Sequence, residues 1–145
     1  MLKLSTKGRY GLRAMIDLAR HQDDEARPVM MSDIAKRQEL SKKYLHALLT
    51  PLKSAGLIRS TRGAKGGYSL ARPPMEITLS DILTALEGEL NIVDCVMSPT
   101  DCVRRENCPA REVWMDLNRL VDNKLRSVTL AQIVATPIPS ETGEK

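Results

Sequence analysis

Phenylalanine is missing from this chain of 145 residues, and with one tryptophan and three tyrosines the aromatic content is only 3%. A core built on packed rings is excluded, so the 42% hydrophobic content must pack as aliphatic side chains. Histidine occurs twice, at His21 and His46, on separate predicted helices with no acid–nucleophile constellation around either. No phosphate-cradling glycine loop or metal-hydrolase motif is present, and an enzyme is not expected. His21, near a helix end, reads as a partner for the helix dipole. No apolar run approaches the ~20 residues needed to cross a bilayer. The opening stretch MLKLSTKGRYGL is basic but has no apolar signal core or cleavage site, so a cytoplasmic protein is expected. Three cysteines is an odd number and a poor match to a secreted disulfide framework.

What is present is unevenly distributed. Residues 1–72 hold 15 Lys and Arg against 6 Asp and Glu, whereas residues 73–145 hold 7 against 12, so a net +4 conceals a basic half and an acidic half. That split suggests a polyanion-binding module joined to something else. Nucleic acid is favoured over a membrane surface, because no basic amphipathic helix carries a bulky apolar face.

The most informative stretch is Leu40 to Leu70. Ser41 can cap a helix start, and Tyr44, Leu45, Leu48, Leu49, Leu52 and Ala55 form one apolar face at helical spacing. Lys42, Lys43, His46 and Lys53 lie outside it. Gly56 suits a left-handed helix stop, and Pro51 predicts a bend or a separate short turn. Two short β-like runs follow, 57–60 and 68–70, joined by a glycine-rich tip that bears Arg62 and Lys65 and no acid. A helix followed by a basic hairpin has the layout of a winged helix, with the helix for a major groove and the wing for an adjacent backbone or minor groove.

Upstream, Ser5 or Thr6 caps a helix running to about His21, with Tyr10, Leu12, Ala14, Met15, Leu18 and Ala19 inward. Lys7, Arg9 and Arg13 sit in its first turns, where the dipole prefers acids, a sign that these cations serve an external anion. After a polar loop closed by Pro28, Ser32 opens a short helix with Met31, Ile34 and Ala35 inward. Its turn into the Ser41 helix is a helix-turn-helix pattern. The predicted DNA contacts are therefore Lys7, Arg9 and Arg13, then Ser41, Lys42, Lys43, Tyr44 and His46, then Arg59, Arg62 and Lys65.

Downstream of Pro73-Pro74, Thr78 caps a helix with Leu79, Ile82, Leu83 and Leu86 inward. An aperiodic loop from 92 to 109 holds every cysteine, and a long amphipathic helix, Ala110 to Leu125, follows it. Its face of Val113, Leu117, Leu120, Val121 and Leu125, with Trp114 beside it, leaves more apolar surface than a small domain covers, and a homodimer is expected. Thr129 caps a last short helix. The predicted architecture is mostly α with a small β-hairpin wing. It divides into a winged helix-turn-helix domain (1–74), sensor loop and dimerisation helices (75–136), and a disordered tail (137–145).

Cys95, Cys102 and Cys108 follow a C-x6-C-x5-C spacing. No C-x2–4-C knuckle of a structural zinc site is present. The spacing is open to an iron–sulfur cluster, a thiol–disulfide switch, or incidental thiols, in that order. Arg104, Arg105 and Arg111 nearby favour thiolates.

Three segments together resemble one family: LSTKGRYGLRAMIDLA, LSKKYLHALLTPLKSAGLIRSTRGAKGGYSLAR, and the cysteine loop followed by Val113-Trp114. They are similar to the Rrf2 family of bacterial winged-helix transcription regulators, over Met1 to about Ala135. The RG-x-x-GGY wing after AGLI is the most specific part. The resemblance is closest to the iron–sulfur members. It implies a nucleoid-associated homodimer joined through the long helix, bound to a palindromic operator in double-stranded DNA. It further implies that the Ser41–Ala55 helix reads a major groove, that Arg62 enters a minor groove, and that Cys95, Cys102 and Cys108 ligate a [2Fe–2S] or [4Fe–4S] cluster. Cluster state would bias the two reading helices.

Two departures stand out. The cluster-bearing members place a histidine three residues after the third cysteine, or an acid near the partner's N-terminus. Here those places hold Arg111 and Lys7-Gly8-Arg9, and the first cysteine gap is one residue longer. Asp94, Asp101, Glu106 or an exogenous ligand stay open as the fourth ligand. His46 also stands where those members commonly carry Glu or Gln, and it can serve as base reader or phosphate contact. The alternative is a cluster-free thiol-switch regulator acting through a disulfide or a protein partner, as members tied to cysteine metabolism do.

Overall fold

The computed structural model describes residues 3–25, 27–96, 98 and 102–137. The chain runs through α1 (Thr6–His21), α2 (Met31–Gln38), α3 (Lys42–Ser54), β1 (Ile58–Thr61), β2 (Gly67–Leu70), α4 (Leu79–Glu87), α5 (Ala110–Ser127) and α6 (Leu130–Ala135). The architecture is mostly helical with one antiparallel hairpin, as the sequence predicts. The tail expected to be disordered lies outside the described residues from 138 onward.

Helix α1 is the hub. Its side chains Ala14, Met15 and Leu18 are fully buried, and it packs against α2, α3, α4 and α6. Ser5 is its N-cap, accepting from the Gly8 amide. The core is aliphatic, as the lack of Phe requires: Ile34, Leu45, Leu48, Leu49, Leu52, Ile77, Ile82 and Leu130 are at 0% exposure. Each such side chain removed from water contributes about 1.5–3 kcal/mol.

Three expectations are corrected. Helix α2 begins at Met31 behind an N-cap of Met30, not at Ser32, and no side chain caps it. Burial of Ile34 and Ala35, not a cap, holds this short helix. Helix α3 runs unbroken through Pro51. The proline frees only the Ala47 carbonyl, and Ala47 is exposed, so water can satisfy it, while buried Leu52 holds the last turn in register. Ala55 is exposed, being the C-cap of that helix and not part of its apolar face. Beyond it, Gly56 at φ 74° lets its own amide reach the Lys53 carbonyl and the Leu57 amide reach that of Leu52, a Schellman stop.

The hairpin pairs Ile58 with Leu70 and Thr61 with Gly67. A third extended residue joins it: Val29 exchanges backbone hydrogen bonds with Tyr68 at 2.7 and 2.8 Å. A Cβ at Gly67 would collide with the Val29 carbonyl, so glycine is needed for that approach. The wing is thereby tied to the α1–α2 loop.

At the other end, Thr78 and Thr129 form an isolated bridge. The Leu79 amide bonds the Val128 carbonyl and the Leu130 amide bonds that of Ile77, both at 2.8 Å. This knot returns the chain after α5 to the core, where α6 packs on α1. Thr78 and Thr129 each close a capping box, as their sequence positions predict. No helix among the described residues is long and apolar enough to cross a membrane.

Candidate nucleic-acid interface and cysteine loop

The turn between α2 and α3 is made by Glu39 in the left-handed region, φ 55°. The Leu40 amide reaches the Ala35 carbonyl at 2.9 Å, and Ser41 caps α3 by accepting from the Tyr44 amide at 3.1 Å. Leu45, Leu48, Leu49 and Leu52 then face the core, which by helical geometry turns Lys42, Lys43, His46 and Lys53 to solvent. All four are exposed, as are Lys7 and Arg9 on α1 and Arg59, Arg62 and Lys65 in the hairpin.

Among the described residues, none of these cations is held by a carboxylate, whereas several arginines elsewhere are. Arg27, Arg37, Arg72, Arg119 and Arg126 each face a carboxylate within 4.0 Å. Among the described residues, Lys7, Arg9, Lys42, Lys43, Lys53, Arg59, Arg62 and Lys65 have no such partner. An uncompensated positive field on one helix-turn-helix and its hairpin suits a phosphate backbone.

Arg13, Tyr44 and Arg59, all predicted contacts, serve inside the fold as well. Arg13 lies 5.0 Å above the Tyr10 ring and donates to the Gln38 side chain at 3.0 Å. Tyr44, half-buried, meets Tyr10 edge-on at 6.2 Å. This stack fixes α3 against α1. Arg59 donates to the Leu70 carbonyl at 3.5 Å across the hairpin.

Sequence reasoning missed a cleft of about 390 Å³ between α3 and the wing, lined by His46, Thr50, Lys53, Ser54 and Tyr68. The four helical residues recur at three- and four-residue steps, which was a legible signal. Their juxtaposition with Tyr68 was not.

Beneath this surface, Asp17 is nearly fully buried. Arg37 grips it at 2.7 and 2.9 Å and Gln38 donates to it at 2.9 Å. Burial pushes the Asp17 carboxyl up, but these hydrogen bonds and the charges of Arg37 and His21 outweigh it and hold the group below its ordinary value. His21 meets the Asp17 backbone carbonyl at 2.8 Å, so its role is structural.

The cysteine loop carries two one-turn 3-10 helices, Asp94–Val96 and Arg105–Asn107, neither with a buried residue. Asn118 of α5 staples its first part, accepting from the Ile92 amide and donating to Asn91, both at 3.0 Å. Cys95, Cys102 and Cys108 are all half-buried free thiols. In kind they fit an iron–sulfur cluster, which takes thiolates. In position they are not gathered: among the described residues no three Cys, His, Asp or Glu side chains could together hold a metal ion. Arg111 donates to the Cys95 carbonyl at 3.4 Å and so is held in the loop, though it cannot ligate. Asp94 and Glu106 are exposed, and Asp101 lies outside the described residues.

Helix α5 packs on α4, yet none of its residues is buried. Val113, Leu117 and Leu120 are 54%, 38% and 64% exposed. An open groove of about 420 Å³ runs between α4 and α5, lined in part by Leu90, Val96, Met115 and Leu125.

A helix-turn-helix followed by a hairpin wing, both carrying unpaired cations, defines a DNA-binding transcription regulator of the winged-helix class and not an enzyme. Comparison with known proteins narrows this. A family model described as "Rrf2: Iron-dependent Transcriptional regulator" matches residues 4–136, and the chain belongs to the Rrf2 family. It is 40% identical over 134 residues to the regulator CymR of Bacillus subtilis, covering 92% of this chain and 91% of CymR. The solved structure of that protein, described as a global cysteine regulator, superposes with a TM-score of 0.77 over 95% of this chain and 100% of CymR. The chain is also 34% identical over 133 residues to the regulator IscR of Serratia proteamaculans, covering 92% of this chain and 79% of IscR. A solved IscR from T. potens matches with a TM-score of 0.74 and 38% identity, over 99% of this chain and 94% of that one.

Proposed function

We propose that this protein is a homodimeric regulator that grips a palindromic operator through α3 and the wing, with the cysteine loop as its sensor. The observation that carries the reading is the set of exposed, unpaired cations on α1, α3 and the hairpin, beside a loop holding every cysteine. Two copies joined along α5 would cover Val113, Leu117 and Leu120 and present two α3 helices to successive major-groove half-sites. Lys42 and Lys43, at the start of α3, meet phosphates. His46 one turn on reaches base edges, and Arg62 at the wing tip reaches a minor groove. Residues 1–74 form the DNA-reading module, and 75–136 the sensing and pairing module.

Cys95, Cys102 and Cys108 would hold an iron–sulfur cluster, which when bound supplies a redox- or ligand-sensitive group to the loop. The three thiols, their proximity in sequence and the family description as iron-dependent support this assignment. The loop has no buried residue in its one-turn helices to resist gathering them. A second reading is favoured by the free, ungathered state of the thiols and by the likeness to a cysteine regulator. In it the same loop works as a thiol switch, through a disulfide or a protein partner. In both readings the protein acts in the cytoplasm.

Protein isolated without oxygen is expected to absorb in the visible range, and Cys102→Ala is expected to be colourless. Wild-type protein lacking iron and sulfide even after reconstitution would end the cluster reading and leave the thiol switch.

A further inference from the structure

Helix α1 opens with Lys7 and Arg9 and has no acid in its first turn, an arrangement its own dipole disfavours. The missing negative charge comes from another helix. Glu87, the last residue of α4, accepts from the Ser5 amide at 2.7 Å and from the Gly8 amide at 3.2 Å through one oxygen, Oε1. The Ser5 hydroxyl also donates to that oxygen.

The surrounding residues are shaped for this contact. A Cβ at Gly8 would collide with Glu87 Oε1, and one at Gly11 would collide with the Leu86 side chain. Both glycines are buried inside a helix, where glycine costs about 1 kcal/mol relative to alanine. They bring the end of α4 against the first turns of α1. The carboxylate thus satisfies amides that the helix start leaves open, and it does so from a residue about eighty positions away in sequence.

We infer that Glu87 is a positioning residue for DNA binding: its Oε1 clamps the first turn of α1 so that Lys7 and Arg9 are held in place for the DNA backbone. The inference rests on the proposed phosphate role of those two cations. What the clamp requires is an acceptor at Oε1, which glutamine keeps and alanine lacks.

The test is a salt titration of binding to a duplex selected from a random library by the wild-type dimer. It uses Glu87→Ala, Glu87→Gln, the Lys7→Ala/Arg9→Ala double variant, and the combination of Glu87→Ala with that double. Each phosphate contact contributes about 0.9 to the log–log slope. Lys7→Ala/Arg9→Ala is expected to lower the slope, Glu87→Ala to lower it in the same direction, and the combination to add little to the double variant. Glu87→Gln is expected to retain the wild-type slope. A loss of stability alone, read by thermal unfolding, would lower melting temperature while leaving the slope of the folded protein unchanged. A wild-type slope in Glu87→Ala beside a reduced one in the Lys7→Ala/Arg9→Ala variant overturns the role of Glu87. A wild-type slope in the Lys7→Ala/Arg9→Ala variant instead overturns the phosphate role on which the inference rests.

Discussion

At the scale of single residues, the polar groups that hold this fold act across helices. Asp17, on the buried side of α1, is the clearest case, because its carboxylate organises Arg37 and Gln38 at the end of α2. Its pKa is lowered in the folded state despite the cost of burial. The stability it confers is therefore present above its unfolded value of about 3.9 and is lost as pH falls through the folded value. Arg37→Ala is expected to cost about 1.5–3 kcal/mol at neutral pH, the range for hydrogen bonds to a charged group. The deficit is expected to shrink as pH falls through the lowered folded value, where Asp17 in the wild type also becomes protonated. Thermal unfolding of both proteins between pH 7 and 3 measures this, and a deficit independent of pH would contradict it. The spacing in sequence made Asp17 look like one more polar helix residue. Only its contact with α2 distinguishes it.

At the scale of elements, α3 and α5 are both amphipathic but differ in what covers them. The apolar face of α3 is consumed by the core, with Leu45, Leu48, Leu49 and Leu52 at 0% exposure. The face of α5 has no equivalent cover among the described residues. The sequence pattern located that face, and the position of α5 along α4 leaves Leu120 outermost at 64% exposure. If a second copy covers it, Leu120→Glu removes about 1.5–3 kcal/mol of burial per copy and adds a charge. The dimer is then expected to weaken by at least about a hundredfold. Met75→Glu, at a residue 71% exposed on a one-turn helix that packs on α6, is expected to leave it intact. Light scattering across a dilution series distinguishes the two, and an unchanged mass for Leu120→Glu would remove α5 from the interface. Pro51 shows the opposite limit of element-level reading. Its local cost predicted a break, and burial of Leu52 beyond it kept the helix whole.

At the scale of the whole molecule, the charge halves of the sequence fall on different sets of elements. The basic half is the helix-turn-helix and wing. The acidic half contains α4, the cysteine loop and α5, and it is fastened to the rest through α4 and α6, which pack on α1. Binding to DNA is expected to weaken steeply with salt, by about 0.9 in log–log slope for each phosphate neutralised. Arg62→Ala, present once per copy, is expected to lower the slope by about 2 in a dimer and to reduce affinity without altering melting temperature, since Arg62 is exposed and unpaired among the described residues. Affinity unchanged in Arg62→Ala would remove the wing from the interface.

The sequence alone determined the elements, because amphipathic period, caps such as Ser41 and Thr78, and the Gly56 stop are local signals written within a turn or two of chain. It also determined the family, through the basic helix and the RG-x-x-GGY wing, whose cations and turn glycines sit within a few residues of one another in the chain. Tertiary structure decided which polar residues serve the fold. Glu87 at the start of α1, Val29 beside the wing and Asp17 beneath α2 act on segments far away in sequence, and no local period encodes such a contact. It also decided that, among the described residues, the three cysteines are not gathered into one metal site, because the loop is placed by contacts with α5, through Asn118 and Arg111, and not by its own pattern.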